Sequence, residues 1–242
     1  MSGHSHWATT KRAKEVKDIA RGKVFSKLGR TISIAAKAGG DADSNARLRV
    51  AIEAARAVNM PKENIERAIA RGARADVTLQ EVTYEGFGPG GIGVIVEVAT
   101  DNRNRTSQEI KNIFERCGGS LCGPGSVAFN FDPKGFLVVE RAPKFDKQML
   151  SLIDLGVEDV QEFGETLEVY VTPSEVANIK EKIEKLGYKV KSVELVRKPK
   201  NYLFLSDYNL AKKTLTLLES LEDHDDVQKV FTNADIPADL SL

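Results

Sequence analysis

Near Asp76 the apolar residues of this chain change their spacing, and that change divides what the two parts can become. Upstream, Val24, Leu28, Ile32 and Ala35 recur at steps of three and four, which puts them on one face of a helix. Gly39 and Gly40 end it. A second helix is expected from Asp43 or Ser44 as N-cap, burying Leu48, Ile52 and Ala55. A third opens at Pro61, buries Ile65, Ala68 and Ile69, and closes at Gly72. Residues 1–76 therefore read as a three-helix domain.

Downstream the runs are β-branched and aromatic, separated by glycine. EVTYEGF (81–87) and GVIVEVA (93–99) read as strands joined by GPGG, with a helix over 104–119 and a strand SVAFNF at 126–131. Residues 134–198 spell strand, helix, strand, strand, helix, strand, the ferredoxin-like order. The tail adds the strand YLFLS (202–206), a helix through Leu210, Leu217, Leu218 and Leu221, and the strand VQKVFTN (227–233). The tail is expected to fold back on the middle strands. The predicted fold is thus α+β: an N-terminal three-helix domain (1–76), a discontinuous α/β domain (77–133 plus 200–242), and a ferredoxin-like domain (134–199) inserted in it.

A formal net charge of zero conceals a division along the chain. Residues 1–75 carry 16 Lys and Arg against 7 Asp and Glu, a net +9, while the remainder carries 19 against 28, a net −9. Such a split suits a chain whose first part meets a polyanion. Lys23, Lys27, Arg30 and Lys37 fall on the outer side of the first helix, and Arg49 and Arg56 on that of the second. Extended backward, the first helix would set Lys14, Lys17 and Arg21 on its buried angle. Residues 8–21 are therefore expected to project as an arm, or to be redirected at Gly22.

On this arm His4, His6 and Trp7 supply π-faces, and Lys11, Arg12, Lys14, Lys17 and Arg21 supply cations. Stacking on unpaired bases combined with phosphate contacts is how single-stranded or looped RNA is held, and the same cations serve DNA. A second candidate is Asp101-Asn102-Arg103-Asn104-Arg105-Thr106, which precedes a helix. Part of it must cap that helix, and a helix N-terminus also receives phosphate. Both readings stand.

Other chemistries find little support. No apolar run approaches the roughly 20 residues of a membrane span. The start lacks a secretory pattern, and a cytoplasmic chain is expected. Cys117 and Cys122 lack a second pair for zinc and read as idle thiols. The glycines of GFGPGGIG lack the Gly-Lys-Ser/Thr of a phosphate loop. His224 sits alone in an acidic run, so no catalytic residue, cofactor or metal is assigned and an enzyme is not expected.

Several segments are also familiar. GHSHW (3–7), RGKVFSK (21–27), NARLRVAI (45–52), NMPKENIERAIARG (59–72), YEGFGPGG (84–91), DNRNRT (101–106), CGGSL (117–121) and DDVQKVFTN (225–233) resemble the YebC family, in order along nearly the whole chain. The resemblance implies three domains, the first helical. It also implies a regulator of gene expression: bacterial members are described as probable DNA-binding transcriptional regulators. Mitochondrial ones are translational activators of a cytochrome oxidase subunit, and some members are assigned to the ribosome, easing elongation through proline-rich stretches. The family's recurrent motifs fall on His4, Trp7, Arg21, Lys23, Lys27, Asp101, Asn102, Arg103, Asn104 and Arg105, whereas Thr9, Thr10 and YLFLS depart from its pattern. The expected partner is nucleic acid: ribosomal or transfer RNA on the ribosome is favoured, DNA is the alternative, and a protein-binding adaptor is the reading of another class.

Overall fold

The computed structural model describes residues 18–74 and 79–236, with side chains from Gly22 onward. The chain forms two compact units, one from residues 1–130 and 201–242, the other from 131–200. The architecture is the expected α+β one, with helices first and two antiparallel sheets after them.

In the first unit, α1 (Asp18–Ala36), α2 (Ala46–Ala57) and α3 (Lys62–Gly72) enclose a core of Ile32, Ala35, Leu48, Ile52, Ala55 and Ile65, with Phe25 and Leu28 against it. Helix α1 runs unbroken through Gly22, where an added Cβ would meet nothing, so the expected redirection there does not occur. Its apolar face begins with Phe25, which joins this core in place of the predicted Val24. Asn45, and neither Asp43 nor Ser44, caps α2: its side chain accepts the Leu48 N–H at 3.0 Å while its amide donates to the Ala35 and Gly39 carbonyls. Asp43 and Ser44 are spent instead on a turn around Asp41. At Gly72 an added Cβ would lie 2.1 Å from the Ser33 carbonyl oxygen, so only glycine lets α3 approach α1 this closely.

The sheet of this unit orders β3 (Ser120–Cys122), β1 (Gln80–Phe87), β2 (Gly93–Thr100) and β9 (Val227–Thr232), named by place in the chain. β1 and β2 form a hairpin in register from Gln80↔Thr100 to Phe87↔Gly93. Its turn needs positive φ at Gly90 (73°) and Gly91 (80°), which explains GPGG without any phosphate. Helices α4 (Arg103–Arg116) and α7 (Tyr208–Asp223) cover one face, where Ile110, Phe114, Leu217, Leu218 and Leu221 meet Val94, Val96 and Val98. Burial of each such side chain stabilises by about 1.5–3 kcal/mol. Read as β2–α4–β3 and α7–β9 with β1 between β2 and β3, the sheet has the ferredoxin-like strand arrangement, its inner strand supplied by the preceding hairpin.

Two expected strands differ. Residues 126–131 do not join the sheet; Ser120–Cys122 does, and the following loop wraps on Glu85. This buried carboxylate accepts from the backbone N–H groups of Gly125 (2.8 Å), Val127 (2.7 Å) and Ala128 (2.7 Å). Backbone donors given to a carboxylate cannot enter a ladder. Of 202–206, only β8 (Leu203–Phe204) is strand, and it pairs in parallel with β10 (Ala234–Asp235) apart from the main sheet.

The second unit holds β4 (Phe131–Glu140), α5 (Phe145–Asp154), β5 (Asp159–Phe163), β6 (Thr166–Val171), α6 (Val176–Lys185) and β7 (Val190–Pro199). Its strand order, β5-β6-β4-β7, is the ferredoxin-like one. Leu137, Val139, Leu167 and Val169 pack against Leu152, Ile179 and Ile183.

The loop on Glu85 gives a direct test. Glu85→Ala leaves three backbone donors unpaired and is expected to cost about 3 kcal/mol, and Glu85→Gln about half that. Urea unfolding of the full chain measures both; equal stability of Glu85→Ala and wild type would show that the carboxylate holds nothing.

Candidate functional site

A charged cleft of roughly 740 Å³ opens in the first unit where α1, α4 and the α7–β9 turn converge. Its lining includes Lys23, Arg105, Glu109, Arg116, Asp223 and His224. At its base stands Asp226, whose side chain is 5% exposed.

Asp226 is held from two helices by three side chains. Arg30 Nη1 of α1 donates to its Oδ1 at 2.6 Å, Arg105 Nη2 of α4 to its Oδ2 at 3.0 Å, and the Thr106 hydroxyl to Oδ2 at 2.7 Å. Thr106 has one proton. With that given to Asp226, its contact with Thr100 at 2.8 Å makes Thr100 the donor, and Thr100 accepts the Asn102 N–H at 3.0 Å. The strand end, the helix cap and the carboxylate are one hydrogen-bonded chain. The backbone carbonyl of Asp226 accepts the Ala99 N–H at 2.8 Å, tying the turn to β2. Burial pushes the Asp226 carboxyl up, but hydrogen bonds from Thr106 and Arg105 and the charges of Arg30 and Arg105 outweigh it and hold the group below the usual carboxylate range.

His224 is built into the same turn. Its Nδ1 accepts the Asp226 N–H at 3.1 Å, so the neutral ring carries its proton on Nε2, 2.9 Å from Glu109 Oε2. Glu109, His224 and Asp226 bring one ligand atom each within 4.8 Å of the others, a separation that a metal could span. Their chemistry does not fit one: both oxygens of Asp226 carry guanidinium groups, and both nitrogens of His224 are engaged. A cation would have to displace Arg105.

The residues expected to bind nucleic acid divide clearly. His4, His6, Trp7, Lys11, Arg12, Lys14 and Lys17, and the side chain of Arg21, lie outside the described residues. Lys23, Lys27 and Arg30 lie on the side of α1 that faces the acidic turn, with Lys23 still exposed to solvent and Lys27 and Arg30 partly buried. Lys23 pairs with Asp223 at 3.1 Å, Lys27 donates to the Glu222 carbonyl, and Arg30 donates to the Asp225 carbonyl as well as to Asp226. Burial lowers the Lys27 ammonium from its ordinary value, against the raising charge of Asp223. Lys37 reaches the Leu79 carbonyl at 2.6 Å. Arg49 closes the α1–α2 connection by donating to the carbonyls of Ala42 and Asp43, and Arg56 is exposed in the last turn of α2.

In the 101–106 loop, where part of the run was expected to cap a helix, Asn102 caps α4 by accepting the Arg105 N–H at 3.1 Å. Arg105 spans Asp101 and Asp226. Arg103 and Asn104 are exposed in the first turn of α4. Sequence reasoning missed Asp226 and the pairing of His224 with Glu109, and named Thr106 only as the last residue of the candidate loop. The available signal was the complementarity of an acidic run, Glu222 to Asp226, with a basic stripe on α1.

Asp226→Asn removes the charge that two guanidinium groups share. A broken buried ion pair costs about 3–5 kcal/mol, and the half-exposure of Arg105 reduces the expected loss here to about 2 kcal/mol. Because the folded carboxyl is depressed, its contribution is complete above about pH 4 and is lost as pH falls through the lower folded value. Denaturant unfolding at several pH values should show wild type and Asp226→Asn converging on acidification; a constant difference between them down to pH 2 would refute the assignment.

Two family models cover the chain: the N-terminal domain of TACO1/YebC protein matches residues 5–75, and the TACO1/YebC second and third domain matches residues 79–234. A protein of Dictyoglomus thermophilum named probable transcriptional regulatory protein is 47% identical over 99% of this chain and 98% of its own length. One of Moorella thermoacetica with the same name is 47% identical over 98% and 97%. A crystal structure of a conserved hypothetical protein from Aquifex aeolicus superposes with a TM-score of 0.87 at 40% identity, covering 95% of this chain and 97% of that one. With matches on both sides of the 75–79 junction and relatives aligned almost end to end, the chain belongs to the TACO1/YebC family.

Proposed function

We propose that this chain is a non-catalytic, cytoplasmic regulator of gene expression that binds nucleic acid, and that it acts in translation by docking on ribosomal or transfer RNA. One observation carries the reading: Arg30 of α1 and Arg105 of α4 meet on the single carboxylate of Asp226. In the free chain α1 is thereby set beside the Asn/Arg loop, so the two candidate binding elements lie close enough to act on one ligand. Arg103 and Asn104 stand exposed at the N-terminus of α4, where the free N–H groups and helix dipole favour phosphate. Among the described residues no helix is long and apolar enough to cross a membrane, in keeping with a ligand met in solution.

The name probable transcriptional regulatory protein, carried by the relatives, supports a regulatory role and favours DNA as the alternative ligand. Crosslinking of the full chain in cells with recovery of bound nucleic acid, paired with ribosome profiling after its deletion, separates the two. Ribosomal or transfer RNA with altered occupancy is the expected outcome; promoter DNA with unchanged occupancy overturns the translational reading. In binding assays Arg103→Glu should weaken RNA affinity about ten-fold and reduce the salt slope by about one. An unchanged slope would remove Arg103 from the interface.

A further inference from the structure

The three cations of α1 nearest its N-terminus with described side chains are all spent within the protein, and on one short segment. Lys23, Lys27 and Arg30 lie at i, i+4 and i+7, a stripe about 10 Å long on one helical face. Opposite them, Glu222-Asp223-His224-Asp225-Asp226 offers a row of oxygens: the Asp223 carboxylate, the Glu222 and Asp225 carbonyls and the Asp226 carboxylate. A nucleic-acid strand presents roughly three phosphates over that length. The contact is acidic, extended and repeated, as a phosphate backbone is.

We propose that the acidic turn Glu222–Asp226 is a built-in competitor for nucleic acid, holding Lys23, Lys27 and Arg30 until a polyanion displaces it. The inference rests on the nucleic-acid reading above and adds its regulation. The way α1 is fastened supports it. The C-terminal end of α1 is anchored by apolar burial, where Ile34 packs with Leu79 and Ala99. Residues 23–31 meet the turn through the polar contacts just named, joined by Thr31 to Gln228 at 3.1 Å, while Phe25 and Leu28 keep this stretch in the three-helix core. Lys23 and Asp223 are 45% and 76% exposed, and pairs that open to water hold weakly and yield to salt or to a stronger polyanion.

Displacement also leaves no buried charge stranded. When Arg30 leaves, Asp226 keeps Arg105 and Thr106. The turn itself stays on the sheet through the Ala99 N–H and His224. Release therefore exposes a basic stripe without unfolding the unit that held it.

The test compares the full-length chain with Asp223→Asn/Asp225→Asn, which spares Asp226, using a fluorescein-labelled 20-nucleotide uridine RNA as probe. The variant should bind about ten-fold tighter, with a salt slope steeper by about one to two. Glu181→Gln/Glu184→Gln, which removes the same charge from α6 of the other unit, should change neither. Adding Lys23→Gln and Lys27→Gln to the turn variant should cancel its gain. If wild type binds and the turn variant binds no tighter, or the control gains as much, the competitor is overturned while the nucleic-acid reading stands. If wild type and the turn variant both fail to bind this RNA and a DNA duplex of equal length, both fall. Hydrogen exchange of the unmodified chain tests the same idea should the variant misfold: saturating RNA should speed exchange in 223–228, and unchanged or slower exchange there overturns the proposal.

Discussion

The first unit depends on one carboxylate. Asp226 is nearly buried, yet it receives Arg30 from α1, Arg105 and Thr106 from α4, and it sits in the turn that feeds β9. A buried carboxylate with unmet acceptors would oppose folding by several kcal/mol. Here the donors come from two distant places in the sequence, α4 at 120 and 121 residues and α1 at 196 residues away. The group's full set of donors is in place only when α1, α4 and the tail have all assembled. Its charge thus specifies an arrangement more than it adds to net stability, since ion pairs of this kind roughly offset their own desolvation.

That role explains why the surroundings are so polar. The cap of α4, the end of β2 and the turn before β9 are joined by hydroxyls and backbone groups, Thr100 to Thr106 to Asp226, with His224 locked by the Asp226 N–H. Apolar packing lies to either side, in the α4–α7 face of the sheet and in the three-helix core. Between two dry cores, a polar seam with directional bonds fixes register where hydrophobic contact would tolerate sliding.

How much of this could be read beforehand follows from how local each signal is. The helices over Leu48–Ala55 and Ile65–Gly72, the GPGG hairpin and the inserted strand–helix order are each encoded by several consecutive residues of one period, and the structure carries them. SVAFNF misled because its composition suits a strand, while the deciding contact comes from Glu85, some 40 residues away. YLFLS misled likewise: only Leu203 and Phe204 pair, and with a segment that follows β9. That part of 101–106 caps a helix was visible because a cap is a three-residue relation, while its assignment to Asn102 comes from the structure. The role of Asp226 was not visible, because nothing in DDVQKVFTN distinguishes it from Asp225. Of the proposed arm, residues 4–21, positions 4–17 and the side chain of Arg21 fall outside the described residues, and 18–21 are the first turn of α1.

The charge division of the sequence takes on a different meaning in the fold. A net +9 on residues 1–75 and −9 on the rest suggested a basic part for the ligand and an acidic part to prevent sticking. The two are not independent, because Lys23, Lys27 and Arg30 face the acidic turn, Arg47 pairs with Glu81 and Lys37 reaches Leu79. Part of the excess on each side cancels in place. What reaches solvent as positive field comes from other residues, Arg56 on α2, Arg71 on α3 and Arg103 on α4 among them. A polyanion meeting these first adds its field to the competition for α1, and screening by salt weakens the internal pairs and the external ones together. On the proposed reading, binding and release of the turn are coupled through the same charges, and the affinity for a polyanion is set by the difference between two electrostatic contacts.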